Sequence, residues 1–192
     1  MDEPETVELV TVVLAAGLGI RFGADKLETR CAGKPLGRWA IEAAEASGLG
    51  RPGLIVFSGE WTSYAEGWTH LINTAPHEGM GHSLAGAAYF ALQGGAHKLL
   101  VLLGDMPLVT PDYLRALATA PAPAATRYPD GHAGVPALLD RALMEQACSL
   151  KGDHGAGALL KGATLLDPPP GMLRDVDTPA DLAEVERQLL AR

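Results

Sequence analysis

The chain has 192 residues, 47% hydrophobic and 5% aromatic, with a formal net charge of −8 and two cysteines. That length suits one well-buried domain over 1–192, and the acidic balance excludes broad nucleic-acid or anionic-membrane binding, which needs a positive field. Cys31 and Cys148 are too few for a disulfide framework and lack ligand spacing, so they read as reduced thiols. The N-terminal MDEPETVE is acidic and lacks an apolar leader core, and no apolar run approaches the roughly 18 residues that span a bilayer. A soluble, cytoplasmic protein is expected.

In chain order, ELVTVVLAAGLGIRFGADK (8–26) comes first: a Val/Leu run that stops at small residues, then a loop with Gly17, Gly19, Arg21, Gly23 and Lys26. A continuous apolar run is the mark of a buried parallel strand. Glycines just beyond it let backbone N–H groups approach a polyphosphate, and Arg21 and Lys26 would meet its charge. Residues 33–48 predict an amphipathic helix with Pro35 in its first turn and Leu36, Trp39, Ala40, Ala43 and Ala44 on one face. GLIVFSG (53–59) predicts a second buried strand; EWTSYAEGW has no clear period and suits a short helix. HLINTA (70–75) predicts a short strand, followed by a loop at Glu78 to Ser83 and a helix packed through Leu84, Ala87, Ala88 and Ala91.

Leu99 to Leu103 predicts a fully buried strand ending in Gly104 and Asp105, then a helix capped at Thr110 with Pro111 first. A strand at Ala124 to Arg127 leads through the turn-rich YPDGHAG into a short strand and a helix. GDHGAGALL (152–160) reads as a loop feeding a short helix. ATLLD and MLRDV give a strand or two before a closing helix with Leu182, Val185, Leu189 and Leu190 inward. Strands alternating with helices at this spacing imply an α/β sandwich with a mainly parallel sheet.

Ligands of such sheets bind beyond the strands' C-terminal ends, where the glycine loop and Asp105 would meet. A hard cation such as Mg²⁺ is held by one or two carboxylates plus substrate phosphates, which makes Asp105 the first metal-ligand candidate. Asp175 and Asp177 of DVDTP, two apart in an extended segment, point the same way and could complete the site; Asp177 suits an N-cap of the last helix equally well. The spacing G-x-G-x-x-x-G of Gly17, Gly19 and Gly23 misses the dinucleotide fingerprint, and no G-x-x-x-x-G-K-[ST] occurs. His77, His82, His132 and His154 sit near glycines in predicted loops, where some could face the cleft, and solvated loop side chains are the expected reading. Ser83 lacks a nucleophile-elbow frame and suits a ligand hydrogen bond or a helix cap.

LAAGLGIRFGADKL, EGMGHSL, LLGDMPLV, GDHGA and DVDTPADL, in this order, make the chain similar to the nucleotidyltransferases of the molybdenum cofactor family, in the cytidylyltransferase branch. The resemblance implies a three-layer α/β/α sandwich with a Rossmann-like, nucleotide-diphospho-sugar transferase-like sheet. It implies that Leu14, Ala15, Ala16, Gly17 and Gly19 line the nucleotide, with Arg21 and Lys26 on the triphosphate and Glu78, Gly79, His82 and Ser83 by the base and ribose. It also implies Mg²⁺ on Asp105 with Asp177, ahead of Asp175, as partner, and GDHGA facing a pterin. The implied substrates are CTP and molybdopterin, with a molybdoenzyme as possible recipient. A sugar phosphate or methylerythritol phosphate acceptor, or a non-catalytic maturation partner of a molybdoenzyme, are the alternatives. The chain departs from the family pattern at Gly19, where most members carry serine, at Val135, where the pterin-side loop carries histidine, and at Glu28 and Thr29, where apolar residues are usual.

Overall fold

Strand β1 (Leu9–Ala15) lies within the sheet, with Val12 and Val13 fully buried and Leu14 and Ala15 nearly so, the state of a strand covered on both faces. The computed structural model describes residues 7–17, 22, 26–50, 53–57, 62–152 and 156–191. Gly19, Arg21, Gly23 and His154 therefore lie outside the described residues. On one side β1 pairs in parallel with β4 (Leu54–Phe57), which pairs in parallel with β5 (Thr69–Ile72). On its other side is β6 (Lys98–Leu103), also parallel. There the direction changes: β8 (Ala133–Asp140) runs antiparallel to β6 and to β7 (Ala124–Arg127), and β9 (Thr164–Leu166) pairs in parallel with β7. The order is β5-β4-β1-β6-β8-β7-β9, seven strands and mainly parallel.

Helices α1 (Leu36–Ser47) and α3 (Pro111–Thr119) pack together, α1 on β1 and α3 on β7 and β8. Helices α2 (Met80–Gln93) and α4 (Arg141–Ala147) form the other pair, against β1, β4, β6 and β8. The result is the expected α/β/α sandwich. Leu84, Ala87, Ala88 and Ala91 are all buried, so small side chains let α2 sit close on the sheet. Thr110 caps α3 by accepting from Tyr113 N, with Pro111 first. The last helix, α5 (Pro179–Leu190), packs on a small hairpin of β2 (Arg30–Cys31) and β3 (Lys34–Pro35), where Ala32 N donates to Glu186 Oε1 at 2.6 Å.

Several local expectations shift. Pro35 stands at the N-cap of α1 rather than within its first turn. EWTSYAEGW, which suits a short helix, contains one short 3-10 helix at Ser63–Ala65. Only β9 forms near the C-terminus: residues 173–178 make no strand, and Val176 N donates to Asp105 O at 3.1 Å instead of joining a ladder. Leu190 is 73% exposed; one residue past Leu189 it lies about 100° around the helix from the buried stripe. Val135, a position that the resemblance sets in the pterin-side loop, is buried within β8, in the short strand expected after YPDGHAG.

Candidate functional site

The C-terminal ends of β1 and β6 open into a cleft of about 340 Å³ lined by Leu14, Ala16, Gly17, Gly79, Ser83 and Asp105, with Pro76, His77, Met80 and Leu103 completing the walls. Alternation along β1 explains why Leu14 and Ala16 face it. Ala15 is buried and faces Gly104, where an added Cβ would lie 3.6 Å from Ala15 Cβ and 3.1 Å from Leu27 Cδ1. Gly104 N donates to Leu14 O at 3.0 Å. This short link carries Asp105 to the sheet edge beside β1.

At the cleft's edge Lys26 Nζ donates to Asp105 Oδ2 at 2.8 Å and to Asp177 Oδ1 at 3.2 Å. The lysine side chain is 12% exposed. Burial lowers its pKa, but Asp105 and Asp177 outweigh burial and hold it above the ordinary lysine value, so it is cationic at neutral pH. Asp177 is free for this contact because the helix cap belongs to Thr178, which forms a capping box with Asp181. Asp175 reaches solvent on one side; even so, partial burial, then the charges of Asp105 and Asp177, push its carboxyl up to about 6 against the pull of Lys26. Asp105 Oδ1 is buried without a hydrogen-bond partner.

A buried unpartnered carboxylate oxygen costs free energy, and this one stands among further hard oxygen donors. No group of three or more protein ligands could hold a metal among the described residues. The carboxylates of Asp105 and Asp177, brought together on Lys26 at the cleft's edge, fit a cation that takes one or two carboxylates and completes its shell with water and substrate phosphates, the habit of Mg²⁺.

The opposite wall is the start of α2. Gly79, at φ 82° and ψ −177°, occupies its N-cap without a side-chain cap, a backbone state that essentially only glycine adopts. With no side chain capping it, the positive end of the helix dipole borders the cleft. Gly81 N donates to Gly152 O at 3.1 Å, joining this turn to the GDHGA segment. Glu78 pairs with His82 at 3.4 Å and, like Ala15, is not among the cleft-lining residues. Ser83 sits inside α2 rather than capping it, and its Oγ accepts from Asn73 Nδ2 at 2.8 Å.

Sequence reasoning missed Asn73 and Tyr128. Asn73 follows β5 and bonds Ala75 N, a side-chain turn whose signal is simply an Asn at a strand end. Tyr128 stacks on His132 with centroids 4.7 Å apart and donates to Val135 O at 3.0 Å. Burial, then the Asp175 and Asp105 carboxylates, push its phenol up to about 12, so it remains a neutral donor beside the acidic group.

Residues 11–168 match the MobA-like NTP transferase domain. Over 94% of its length the chain is 31% identical to the purine catabolism protein PucB of Bacillus subtilis, covering 97% of that protein. It is 36% identical to a probable molybdenum cofactor guanylyltransferase of Pyrococcus furiosus, over 55% of this chain and 52% of that one. Among solved structures, Rv0371c of Mycobacterium tuberculosis shares the fold at a TM-score of 0.80 and 23% identity, covering 95% of this chain and 100% of that one. Its complex with manganese gives 0.76 and 22% over the same shares.

Proposed function

Because the chain belongs to the MobA-like NTP transferase family, and so is a nucleotidyltransferase of that type, we propose that it transfers CMP from CTP to the phosphate of molybdopterin and releases pyrophosphate. A phosphate oxygen of the acceptor forms the new bond to the α-phosphorus in line as the bond to the β-phosphate oxygen breaks. The observation that carries this reading is Lys26 joined to both Asp105 and Asp177 at the edge of a cleft walled by β1 and the uncapped start of α2. Such chemistry asks little covalent work of a protein; positioning and charge neutralisation supply the rate.

Leu14, Ala16 and Gly17 give the nucleoside a close, mostly apolar wall, and Gly79 and Ser83 give it polar partners. Lys26, with Arg21 from the preceding loop, stabilises the charge that builds on departing pyrophosphate. Asp105 and Asp177, with Asp175 beside them, are the residues to hold a divalent cation, and Mg²⁺ would supply neutralisation of the α-phosphate there. Tyr128 and Gly152, the first residue of the GDHGA motif, stand on the acceptor side. CTP rests on the LAAG opening and the EGMGHSL stretch. PucB is named for purine catabolism, which supports a recipient enzyme in that route; we take it to be a molybdoenzyme. One domain over 1–192 in the cytoplasm completes the reading. No helix among the described residues is long and apolar enough to cross a membrane.

The test is pyrophosphate release with each of the four nucleoside triphosphates and molybdopterin as acceptor. CTP should be preferred by at least tenfold. A preference for GTP, the nucleotide implied by the guanylyltransferase relative's name, would overturn the base assignment, and no release with any triphosphate would overturn the transfer itself.

A further inference from the structure

The turn that feeds α2 holds a polar residue that nucleotide transfer as described above does not use. Asn73 is 5% exposed, its backbone N–H donates to Phe57 O at 2.8 Å, and both ends of its carboxamide are engaged. Ala75 N–H can only donate, so the amide atom it meets at 2.8 Å must be the oxygen, Oδ1. That places Nδ2 on the other side, 2.8 Å from Ser83 Oγ. An amide N–H donates and cannot accept, so Ser83 must accept there and send its own proton elsewhere. Ser83 is 4% exposed and lines the cleft.

We infer that Asn73 is a positioning residue for nucleotide recognition: it fixes Ser83 as a hydrogen-bond donor, so the nucleotide atom opposite Ser83 is a hydrogen-bond acceptor. The inference rests on the nucleotide occupying this cleft. A base that presents an amino group at the same place meets a second donor and is rejected, because a buried polar group left unpaired costs more than a made bond returns. Asn73 thereby acts on nucleotide binding without touching the nucleotide.

The test uses the replacement Asn73→Asp. The carboxylate still accepts from Ala75 N–H, preserving the turn, but it also presents an acceptor to Ser83. The serine proton then swings to it, and the cleft is shown a lone pair instead of a donor. Titration calorimetry with CTP and Mg²⁺, without acceptor, is run on the wild type, Asn73→Asp, Ser83→Ala and the double variant, and with the other three triphosphates on the wild type, with thermal melts alongside. Asn73→Asp and Ser83→Ala should each raise the CTP dissociation constant on the order of tenfold, and Asn73→Asp should add nothing in the Ser83→Ala background.

Wild-type affinity in Ser83→Ala would overturn the inference, since the serine proton would then serve a carbonyl of its own helix. An Asn73→Asp penalty that persists in full in the Ser83→Ala background would overturn it too, because the carboxylate would be acting by charge. If Asn73→Asp does not fold, Ser83→Ala alone decides on the same criterion. Absence of binding by the wild type to all four triphosphates would sink the nucleotide reading and this inference together, whereas wild-type binding with unaffected variants sinks the inference alone.

Discussion

Lys26 sets the electrostatics of the site at the residue scale. Its ammonium group joins two carboxylates at 2.8 and 3.2 Å, so three charges that would repel or be desolvated singly are held as one cluster. In the proposed transfer the same ammonium serves phosphate oxygens, and charge-assisted bonds of this kind contribute about 1.5–3 kcal/mol each. Lys26→Met should therefore raise the nucleotide KM on the order of tenfold or more and lower kcat, read by pyrophosphate release; unchanged constants would remove the lysine from the triphosphate. Asp105→Asn keeps the shape of the side chain and removes its charge. It should cost on the order of 100-fold in kcat/KM, the scale of losing a transition-state electrostatic partner, while the circular dichroism spectrum stays that of the wild type. Retained activity would dismiss Asp105 as a metal ligand.

Among the elements, α2 and α5 bring the remaining site residues into place by their first turns. Thr178 and Asp181 cap α5 reciprocally, and Thr178→Ala should cost about 1 kcal/mol, a fall of roughly 2–4 °C in Tm for a chain of this size. A Tm within half a degree of the wild type would show that the capping box is not stabilising. These elements also show what a sequence can and cannot disclose. Thr110–Pro111 and Ala124–Arg127 are readable because their signals are local: a cap followed by proline, and a short β-prone run bounded by turns. The role of Asp177 turns on a register shift of one residue, since Asp177 and Thr178 are both good caps and only packing shows that Thr178 takes the helix and leaves Asp177 for Lys26. The Asn73–Ser83 pair spans ten residues from strand end to helix interior, and no short-range pattern marks it. Val135 and Pro136 lie in β8 where its register with β7 shifts between Ala125 and Thr126, so neither has a ladder partner there, and Thr126 Oγ1 donates to Pro136 O at 2.7 Å; no local pattern announces that irregularity.

For the whole molecule, the two thiols report on packing. Cys31 is fully buried between the small hairpin and α5, and burial, with Glu186 nearby, pushes its thiol up to about 11, whereas Cys148 is exposed. At pH 8 a thiol reagent should label one site in the native protein and two in denaturant; rapid labelling of both without denaturant would contradict the packing around Cys31. The sign of the linked pH effect follows. The native state keeps Cys31 protonated above the ordinary thiol range, so its contribution to stability is complete below about pH 9 and is lost as pH rises toward about 11. The lysine bridge has a consequence for the protein when metal is scarce. Because Lys26 serves as an internal counter-ion for Asp105 and Asp177, the folded chain does not depend on a borrowed cation to hold its acidic edge together. Treatment with EDTA should stop nucleotidyl transfer yet move Tm by less than about 2 °C, below the roughly 2–4 °C that loss of 1 kcal/mol brings. In a cell, such a protein can wait, folded and idle, for divalent cation and nucleotide to arrive together.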